Sequence, residues 1–465
     1  MPFNSPAQNA NYYLDYQAQV ESNARTYPRN LPLAIASANN IYITDTNGKT
    51  YIDCLSCAGA LALGHNHPVV LDAIQQHLSQ GLPMQTLDFT SPIRHAFVQE
   101  LLASLPPAFA ARAKVQFCGP SGSDAVEAAL KLVKTATGRR SILAYQGAYH
   151  GQTHGSLALM GNLRAKSAIP GLMPEVHFLP FPDAYRCGAT CNSTDAGCTA
   201  QHHRCATLER LESVLKDDES GVPLPAAVIL EVVQGEGGCN PAPDDWLREV
   251  RRLTAQYRVP LIVDEVQTGW GRTGSLYAFE RAGIVPDVLV LSKAIGGGLP
   301  LALIVYDEAL DLWQPGAHAG TFRGNLMAIG TGLATLRFIR EQNLASHAAQ
   351  MGKYLRSQLR HLQTSMPFLG DVRGRGLMTG VEIVDPATHD RNGVSLPDGE
   401  CARAIRKACF ERGLIIELGG RQGSVLRFLP PLVITQEQID AVVAIVAAAC
   451  QAVSADQLHR RSVAP

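Results

Sequence analysis

The chain has 465 residues, of which 46% are hydrophobic and 17% charged, and its formal net charge is −1 at pH 7. This length allows one large domain and one smaller domain, and the nearly neutral charge gives no electrostatic basis for binding nucleic acid or an anionic membrane. No basic and apolar leader opens the sequence, and no uninterrupted apolar stretch reaches the roughly 20 residues that span a bilayer. We therefore expect a cytoplasmic globular protein that binds neither nucleic acid nor membrane.

The predicted elements fall into three segments. Residues 1–80 begin with a polar stretch and continue with strand-forming residues on both sides of Asn47 and Gly48, the strongest short hairpin signal. In residues 81–340, short apolar runs alternate with amphipathic helical patterns, which is typical of an α/β domain with a largely parallel sheet. Residues 341–465 have helical and then mixed patterns and predict a smaller α+β domain. The predicted buried strands lie at 114–119, 141–146, 226–232, 260–265 and 287–293.

Ser121, Gly122 and Ser123 follow the first of these strands and begin a helical pattern. Their hydroxyl and N–H groups would face an anion at a helix N-terminus, where the helix dipole favours negative charge. The alternative is a capping loop in which Ser121 or Ser123 is the N-cap and nothing binds. The Gly-Lys-Ser/Thr ending of a P-loop is absent, which disfavours a nucleoside triphosphatase.

Tyr149 and His150 lie on a glycine-flanked turn after the second strand, and Lys293 is the last residue of the fifth strand. A flat side chain there would cover a planar ligand, although an aromatic pair that packs the loop fits equally well. A desolvated lysine amine forms Schiff bases with carbonyls, and the alternative is a surface lysine before a flexible loop. The triple glycine at 296–298 would let the backbone pass close to a ligand.

Asp264 and Glu265 come directly after the apolar run of the fourth strand. A carboxylate at a buried strand end loses water and needs a compensating partner. Successive side chains of a strand point to opposite faces, so we expect Asp264 to face a ligand and Glu265 to be structural. A phosphate site, a flat side chain, a carboxylate and a Schiff-base lysine beyond the carboxyl ends of parallel strands match the needs of pyridoxal 5'-phosphate, whose ring nitrogen is kept cationic by an aspartate.

One stretch of the chain is rich in cysteine and histidine. Thiolates and imidazoles suit zinc, but the C-x-x-C spacing of the strongest zinc signatures is missing. We therefore favour a loop with free thiols over a structural metal site, and we predict no catalytic metal. The cysteines of this stretch are Cys187, Cys191, Cys198 and Cys205.

The residues at these strand ends, together with motifs elsewhere in the chain, resemble those of the class III pyridoxal-phosphate-dependent aminotransferases of fold type I. The resemblance covers nearly the whole length and implies a large domain with a mainly parallel central sheet flanked by helices, plus a small α+β domain built from both termini. It also implies ping-pong transfer of an amino group from an amino donor to a 2-oxo acid, and a homodimer with shared active sites or a tetramer of such dimers. The motifs that carry it are GHNHPVVLDAI, EVVQGEGG, VDEVQTGWGRTG, LSKAIGGGLPLA, GTFRGN and RFLPPLVIT.

The resemblance implies roles for individual residues. Lys293 would hold the cofactor as a Schiff base and shuttle protons, Asp264 would pair with the pyridine nitrogen, and Gln267 would bind near the ring hydroxyl. Tyr149 would stack on the ring, and Thr321 would reach the phosphate of the neighbouring subunit's cofactor. The cofactor-binding set is Ser121, Gly122, Ser123, Tyr149, His150, Asp264, Gln267, Lys293 and Thr321.

Glu236 and Arg427 resemble the family's switch pair, in which the arginine binds the carboxylate of the oxo acid and the glutamate masks it for donors without one. The stretches VESNARTYPRNLPLAI and TFRGN most resemble the branch that transfers the terminal amino group of L-2,4-diaminobutyrate to 2-oxoglutarate. Gln152 stands where some ω-aminotransferases have a carboxylate-binding arginine, and Arg323 is the candidate anchor by position. Ornithine, 4-aminobutyrate or amine–pyruvate transamination, and a non-catalytic regulator with this fold, are the alternatives.

Overall fold

The computed structural model describes residues 9–186 and 206–463. The strands are β1 (Ile35–Asn39), β2 (Tyr42–Asp45), β3 (Thr50–Asp53), β4 (Ala113–Phe117), β5 (Ile142–Tyr145), β6 (Val176–Leu179), β7 (Ala227–Glu231), β8 (Val233–Gln234), β9 (Asn240–Pro241), β10 (Leu261–Asp264), β11 (Val288–Leu291), β12 (Leu303–Asp307), β13 (Leu369–Arg375), β14 (Met378–His389), β15 (Ser395–Pro397), β16 (Leu414–Ile415), β17 (Glu417–Gly419) and β18 (Val425–Phe428). The α-helices are α1 (Ala10–Val20), α2 (Tyr27–Asn30), α3 (Ser56–Gly59), α4 (Pro68–Ser79), α5 (Pro92–Ala103), α6 (Pro107–Ala110), α7 (Gly122–Thr137), α8 (His154–Ala158), α9 (Ala206–Lys216), α10 (Asp244–Gln256), α11 (Leu326–Glu341), α12 (Leu344–Gln363), α13 (Gly399–Glu411) and α14 (Gln436–Val463).

A seven-stranded sheet with the order β4–β12–β11–β10–β7–β5–β6 forms the centre of the molecule. Its strands are parallel except for β12, which is antiparallel to both of its neighbours. The five strands predicted from the sequence are confirmed as β4, β5, β7, β10 and β11. Two strands of this sheet, β6 and β12, were not predicted. Strand β6 has only four residues and lies between Pro174 and Pro180, and β12 follows a glycine-rich stretch. Proline and glycine are typical of loops, so the local sequence of both strands indicated a loop.

Helices cover the sheet. Helix α7 packs on β11 and β12, and α11 packs on α4 and α5. The buried positions of α7 recur every three or four residues, as in Ala125, Ala129 and Leu132, because that spacing keeps them on one face. Burial of a large aliphatic side chain such as Leu132 contributes about 1.5–3 kcal/mol. Since α7 begins just after β4, its N-terminus lies at the carboxyl edge of the sheet.

The hairpin predicted near the N-terminus is confirmed as β2 and β3. Gly48 has φ of 83°, and the Asp45 carboxylate accepts hydrogen bonds from the N–H groups of Asn47 and Lys49. This hairpin belongs to the four-stranded sheet β1–β2–β3–β16, in which β16 runs parallel to β3. Segments from the two ends of the chain therefore share one sheet, while the domain limits given above stay a prediction.

The C-terminal part contains the sheet β13–β14–β18–β17, with β15 paired to β14. Helix α14 packs against α12 and α13. Its residues Gln436–Ala455 are long and apolar enough to cross a membrane by length and composition alone. However, Ile439, Val442 and Val446 of this helix are buried in the core, which is the position of a core helix in a globular domain.

Candidate active site

A cavity of about 170 Å³ lies beyond the carboxyl ends of the parallel strands, where such sheets bind ligands. Most of the residues singled out from the sequence line it together. Ser121, Thr321, Arg323 and Arg427 are outside this lining. The lining residues are Gly122, Ser123, Tyr149, His150, Gly151, Glu231, Glu236, Asp264, Val266, Gln267 and Lys293.

Asp264 is buried at the end of β10, and both of its carboxylate oxygens have partners. Nδ1 of His150 lies 2.7 Å from Oδ2, and the N–H of Val266 donates to Oδ1 at 3.0 Å. Burial alone would lower the pKa of His150, but the hydrogen bond and the charge of Asp264 raise it above its ordinary value. His150 therefore orients the carboxylate of Asp264. The sequence had placed His150 only in the cofactor-binding set, on the same turn as Tyr149.

Glu231 is a site residue that the sequence reasoning missed. It is the register neighbour of Asp264 across β7 and β10. Its carboxylate accepts the N–H groups of Tyr149 and Gly235, each at 2.9 Å, and thus joins two loops of the cavity wall. Burial raises the pKa of Glu231 to about 7. The sequence carried the same signal at both positions, because Glu231 is the next-to-last residue of the predicted strand 226–232 and Asp264 is the next-to-last residue of the predicted strand 260–265.

Lys293 follows β11 and lines the cavity with its side chain partly buried. Its φ is 52°, a left-handed conformation that costs energy in residues other than glycine and is often found at functional sites. Burial lowers the pKa of the Lys293 amine. The neutral, nucleophilic form is therefore more populated than in a lysine exposed to water.

The triple glycine at 296–298 serves packing and does not line the cavity. A Cβ at Gly297 would lie 2.8 Å from the carbonyl oxygen of Thr331 and 2.6 Å from Oγ1 of Thr335, both on α11. Gly297 also has φ of 60°. The close neighbour of Gly297 is therefore a helix, and the close approach of this glycine stretch to a ligand stays a prediction.

The N-terminus of α7 faces the cavity. The Ser121 side chain accepts the N–H of Asp124 and is the N-cap, while its part in cofactor binding stays a prediction. Gly122 and Ser123 line the cavity itself. A Cβ at Gly122 would lie 3.0 Å from the side chain of Val266, and the Ser123 hydroxyl accepts the N–H of Gln152 at 3.0 Å. The first turn of the helix is thus open to an anion.

Arg427 on β18 and Glu236 form a pair at the edge of the cavity, with 2.6 Å between Nη1 and Oε1. Nη2 of Arg427 donates to Oε1 of Gln267 at 3.2 Å, and the amide of Gln267 donates to the carbonyl of Ala58. The side chain of Arg427 is 1% exposed and that of Glu236 is 42% exposed. Burial would lower the pKa of Arg427, but the charge of Glu236 raises it.

Arg323 and Thr321 lie on a different surface of the protomer. Arg323 forms an ion pair with Asp88 at 2.6 Å and donates to the carbonyl of His318. The charge of Arg323 is thus paired within this protomer, and its assignment as a carboxylate anchor stays a prediction. Thr321 and Phe322 are exposed. Cys187, Cys191, Cys198 and Cys205 are outside the described residues.

Known proteins are similar to this chain over most of its length. The aminotransferase class-III family model matches residues 24–450. A diaminobutyrate–2-oxoglutarate aminotransferase from Rhizobium meliloti (strain 1021) is 53% identical over 454 residues, which are 97% of this chain and 94% of the relative. An enzyme of the same name from Haemophilus influenzae is 48% identical over 430 residues, 92% of each chain.

Solved structures support the same relationship. The pyridoxal-phosphate-bound amine transaminase from an uncultivated Pseudomonas species has a TM-score of 0.80 and 28% identity, and the match covers 93% of this chain and 97% of that one. The omega-transaminase from Thermomicrobium roseum has a TM-score of 0.83 and 26% identity, with 96% and 99% covered.

The side chains around the cavity fit pyridoxal 5'-phosphate. The desolvated amine of Lys293 suits its aldehyde, and the buried carboxylate of Asp264 suits a protonated ring nitrogen. Gly122 and Ser123 line the cavity at a helix N-terminus, which favours a phosphate. With the family match over residues 24–450, this chain belongs to the class-III aminotransferases, whose cofactor is pyridoxal 5'-phosphate.

Proposed function

We propose that this aminotransferase moves the terminal amino group of L-2,4-diaminobutyrate to 2-oxoglutarate, with aspartate 4-semialdehyde and glutamate as products. The observation that carries this choice of donor is the similarity, over almost the whole chain, to diaminobutyrate–2-oxoglutarate aminotransferases from two bacteria. The Glu236–Arg427 pair supports it further, because the two substrates present different charges beside the reacting carbon.

When bound, pyridoxal phosphate supplies an aldehyde for amines and a ring that withdraws electrons. We assign two tasks to Nζ of Lys293: it binds the cofactor between turnovers, and it takes and returns the proton at the carbon that carries the amino group. Asp264, oriented by His150, holds the proton on the ring nitrogen. Gly122 and Ser123 bind the phosphate, Tyr149 covers the ring, and Gln267 binds near the ring hydroxyl.

We assign the carboxylate of the 2-oxo acid to Arg427. This carboxylate is next to the reacting carbonyl, so it needs a fixed cation, whereas a terminal amine has no carboxylate there. Glu236 pairs with Arg427 while the donor is bound. Because the Glu236 side chain is 42% exposed, water solvates its carboxylate when it separates from Arg427. Arg427 then binds the carboxylate through two parallel N–H groups.

We also propose a cytoplasmic homodimer, or a tetramer of such dimers. The exposed Thr321 lies on a segment held by the Arg323–Asp88 ion pair. We assign Thr321 to the phosphate of the neighbouring subunit's cofactor. Sedimentation of the purified protein measures the assembly, and a monomer with full activity would contradict it.

A panel of donors and acceptors tests the proposed function. We expect kcat/KM for diaminobutyrate with 2-oxoglutarate to exceed the values for ornithine, 4-aminobutyrate and amine–pyruvate pairs by about tenfold or more. Strong turnover of 4-aminobutyrate with none of diaminobutyrate would overturn this assignment. The Lys293→Ala variant should lose both half-reactions, and a variant at wild-type rate would refute the role of Lys293.

A further inference from the structure

We infer that Glu417 binds the second, non-reacting ammonium group of a diamino donor and thereby selects diamines over monoamines. This inference rests on the proposed function, since it concerns the end of the donor that lies away from Lys293. Nothing in the sequence patterns pointed to Glu417, which lies on the short strand β17.

The position of Glu417 follows from the pairing of β17 with β18. Glu417 and Arg427 are direct partners in this antiparallel pair. The side chains of such partners lie on the same face, with Cβ atoms about 4.5–5.5 Å apart. Arg427 therefore has a carboxylate on each of two sides, Glu236 at 2.6 Å and Glu417 on the neighbouring strand.

Glu236, Arg427 and Glu417 form what we call the corner around β17 and β18. Tyr27, from the N-terminal part of the chain, lies near this corner. The charges of Glu417, Glu236 and Arg427 act on its hydroxyl, that of Glu417 most strongly. Burial raises the pKa of Glu417 and of Tyr27. We therefore assign Tyr27, which is 47% exposed, as a residue that positions the half-buried Glu417 carboxylate.

The charges at this corner do not balance. Glu236 and Glu417 share one guanidinium, and Glu236 already binds it directly. Arg406 also acts on Glu417, but its guanidinium donates to Asn30 and forms no ion pair with Glu417. A half-buried carboxylate that shares its counter-charge with a second carboxylate is a binding site for a cation, and it lies beside the Glu236–Arg427 pair to which we assign the substrate carboxylate.

A diamino acid supplies such a cation. When its terminal amine reacts at Lys293, its other end carries an ammonium group and a carboxylate. A monoamine of the same length, 4-aminobutyrate, lacks this ammonium group and would leave Glu417 uncompensated. The same residue therefore attracts one donor and disfavours the other, which is how specificity is often obtained.

The test is Glu417→Gln, which keeps the shape of the side chain and removes its charge. The donor half-reaction is followed with diaminobutyrate, with 1,3-diaminopropane, which keeps the second ammonium without the carboxylate, and with 4-aminobutyrate. We expect KM for the two diamines to rise roughly 10- to 100-fold, the value of a charge-assisted hydrogen bond, while kcat stays nearly constant and the KM for 4-aminobutyrate falls. The matched control is Glu411→Gln, at a more exposed carboxylate on α13, and it should leave all three donors unchanged.

Several outcomes would overturn the inference. Equal loss with all three donors would assign Glu417 to folding, and unchanged KM for both diamines would exclude it from binding. Tyr27→Phe should raise KM for the diamines in the same direction but less, and a loss of kcat with every donor would contradict its positioning role. If the wild type does not use diaminobutyrate, the proposed function fails, while 1,3-diaminopropane against 4-aminobutyrate still decides the role of Glu417.

Discussion

The carboxyl edge of the seven-stranded sheet and the corner around β17 and β18 hold their charges in different ways. At the sheet edge, Glu231 accepts the N–H groups of Tyr149 and Gly235, and Asp264 accepts that of Val266. At the corner, Arg427 is held mainly by side chains, with Glu236 and Gln267 lying 191 and 160 residues away in the sequence. Carboxylates that are held by backbone N–H groups keep a fixed position, which suits a cofactor that stays bound. Pairs of side chains are able to exchange partners, so they suit substrates that differ in charge.

The largest effect is expected at the sheet edge. We predict that Asp264→Asn lowers kcat about a thousandfold in both half-reactions, because an amide does not stabilise positive charge on the ring nitrogen. The cofactor should remain bound, since Lys293 and the start of α7 are unchanged. Stopped-flow spectroscopy of each half-reaction measures this, and a loss below tenfold would contradict the assigned role of Asp264.

The corner should respond selectively. We predict that Arg427→Gln raises KM for 2-oxoglutarate about 100-fold, because a buried, hydrogen-bonded cation is lost. The KM for diaminobutyrate should change much less, since the donor's terminal amine needs no cation. Steady-state kinetics with each substrate varied in turn measures both values. A parallel loss for donor and acceptor would show that Arg427 is structural.

The smallest effect on catalysis is expected behind the sheet edge, at Glu265. This side chain accepts the N–H groups of Ala278 and Phe279 at 2.9 Å. Burial raises the pKa of Glu265 from 4.5 to about 7. Because the folded value is the higher one, its contribution to stability is complete below pH 4.5 and is lost as the pH rises through 7.

Glu265→Gln therefore tests the sign of this linkage. We predict a destabilisation of about 1–3 kcal/mol at pH 5 that decreases toward pH 8, with kcat almost unchanged. Urea unfolding at the two pH values measures it. Equal destabilisation at both pH values would contradict the raised pKa of Glu265 in the folded protein. A loss of kcat like that of Asp264→Asn would contradict the assignment of Asp264 to the ligand and of Glu265 to a structural role.

Sequence reasoning predicted the sheet edge well. Buried parallel strands have recognisable apolar runs, and polar residues directly after them, such as Asp264 and Lys293, must meet where those strands end. The same reasoning missed Glu231, although its signal was equivalent: an acidic residue at the next-to-last position of a predicted buried strand. At the triple glycine it predicted a close approach but did not name the neighbour, which at Gly297 is a helix.

The corner shows what only the tertiary structure decided. The resemblance implied that Glu236 and Arg427 form a pair, but no local pattern indicates that Glu417 lies opposite Arg427 or that Tyr27 reaches Glu417. Apolar periodicity and strand-end chemistry are local, so the sequence by itself determined the α/β class, five central strands and most of the cavity lining. Partners of buried charges depend on which distant segments the fold brings together. That is why the sequence predicted the side that we assign to the cofactor, and only the structure brought Glu417 opposite Arg427 at the corner that we propose distinguishes substrates.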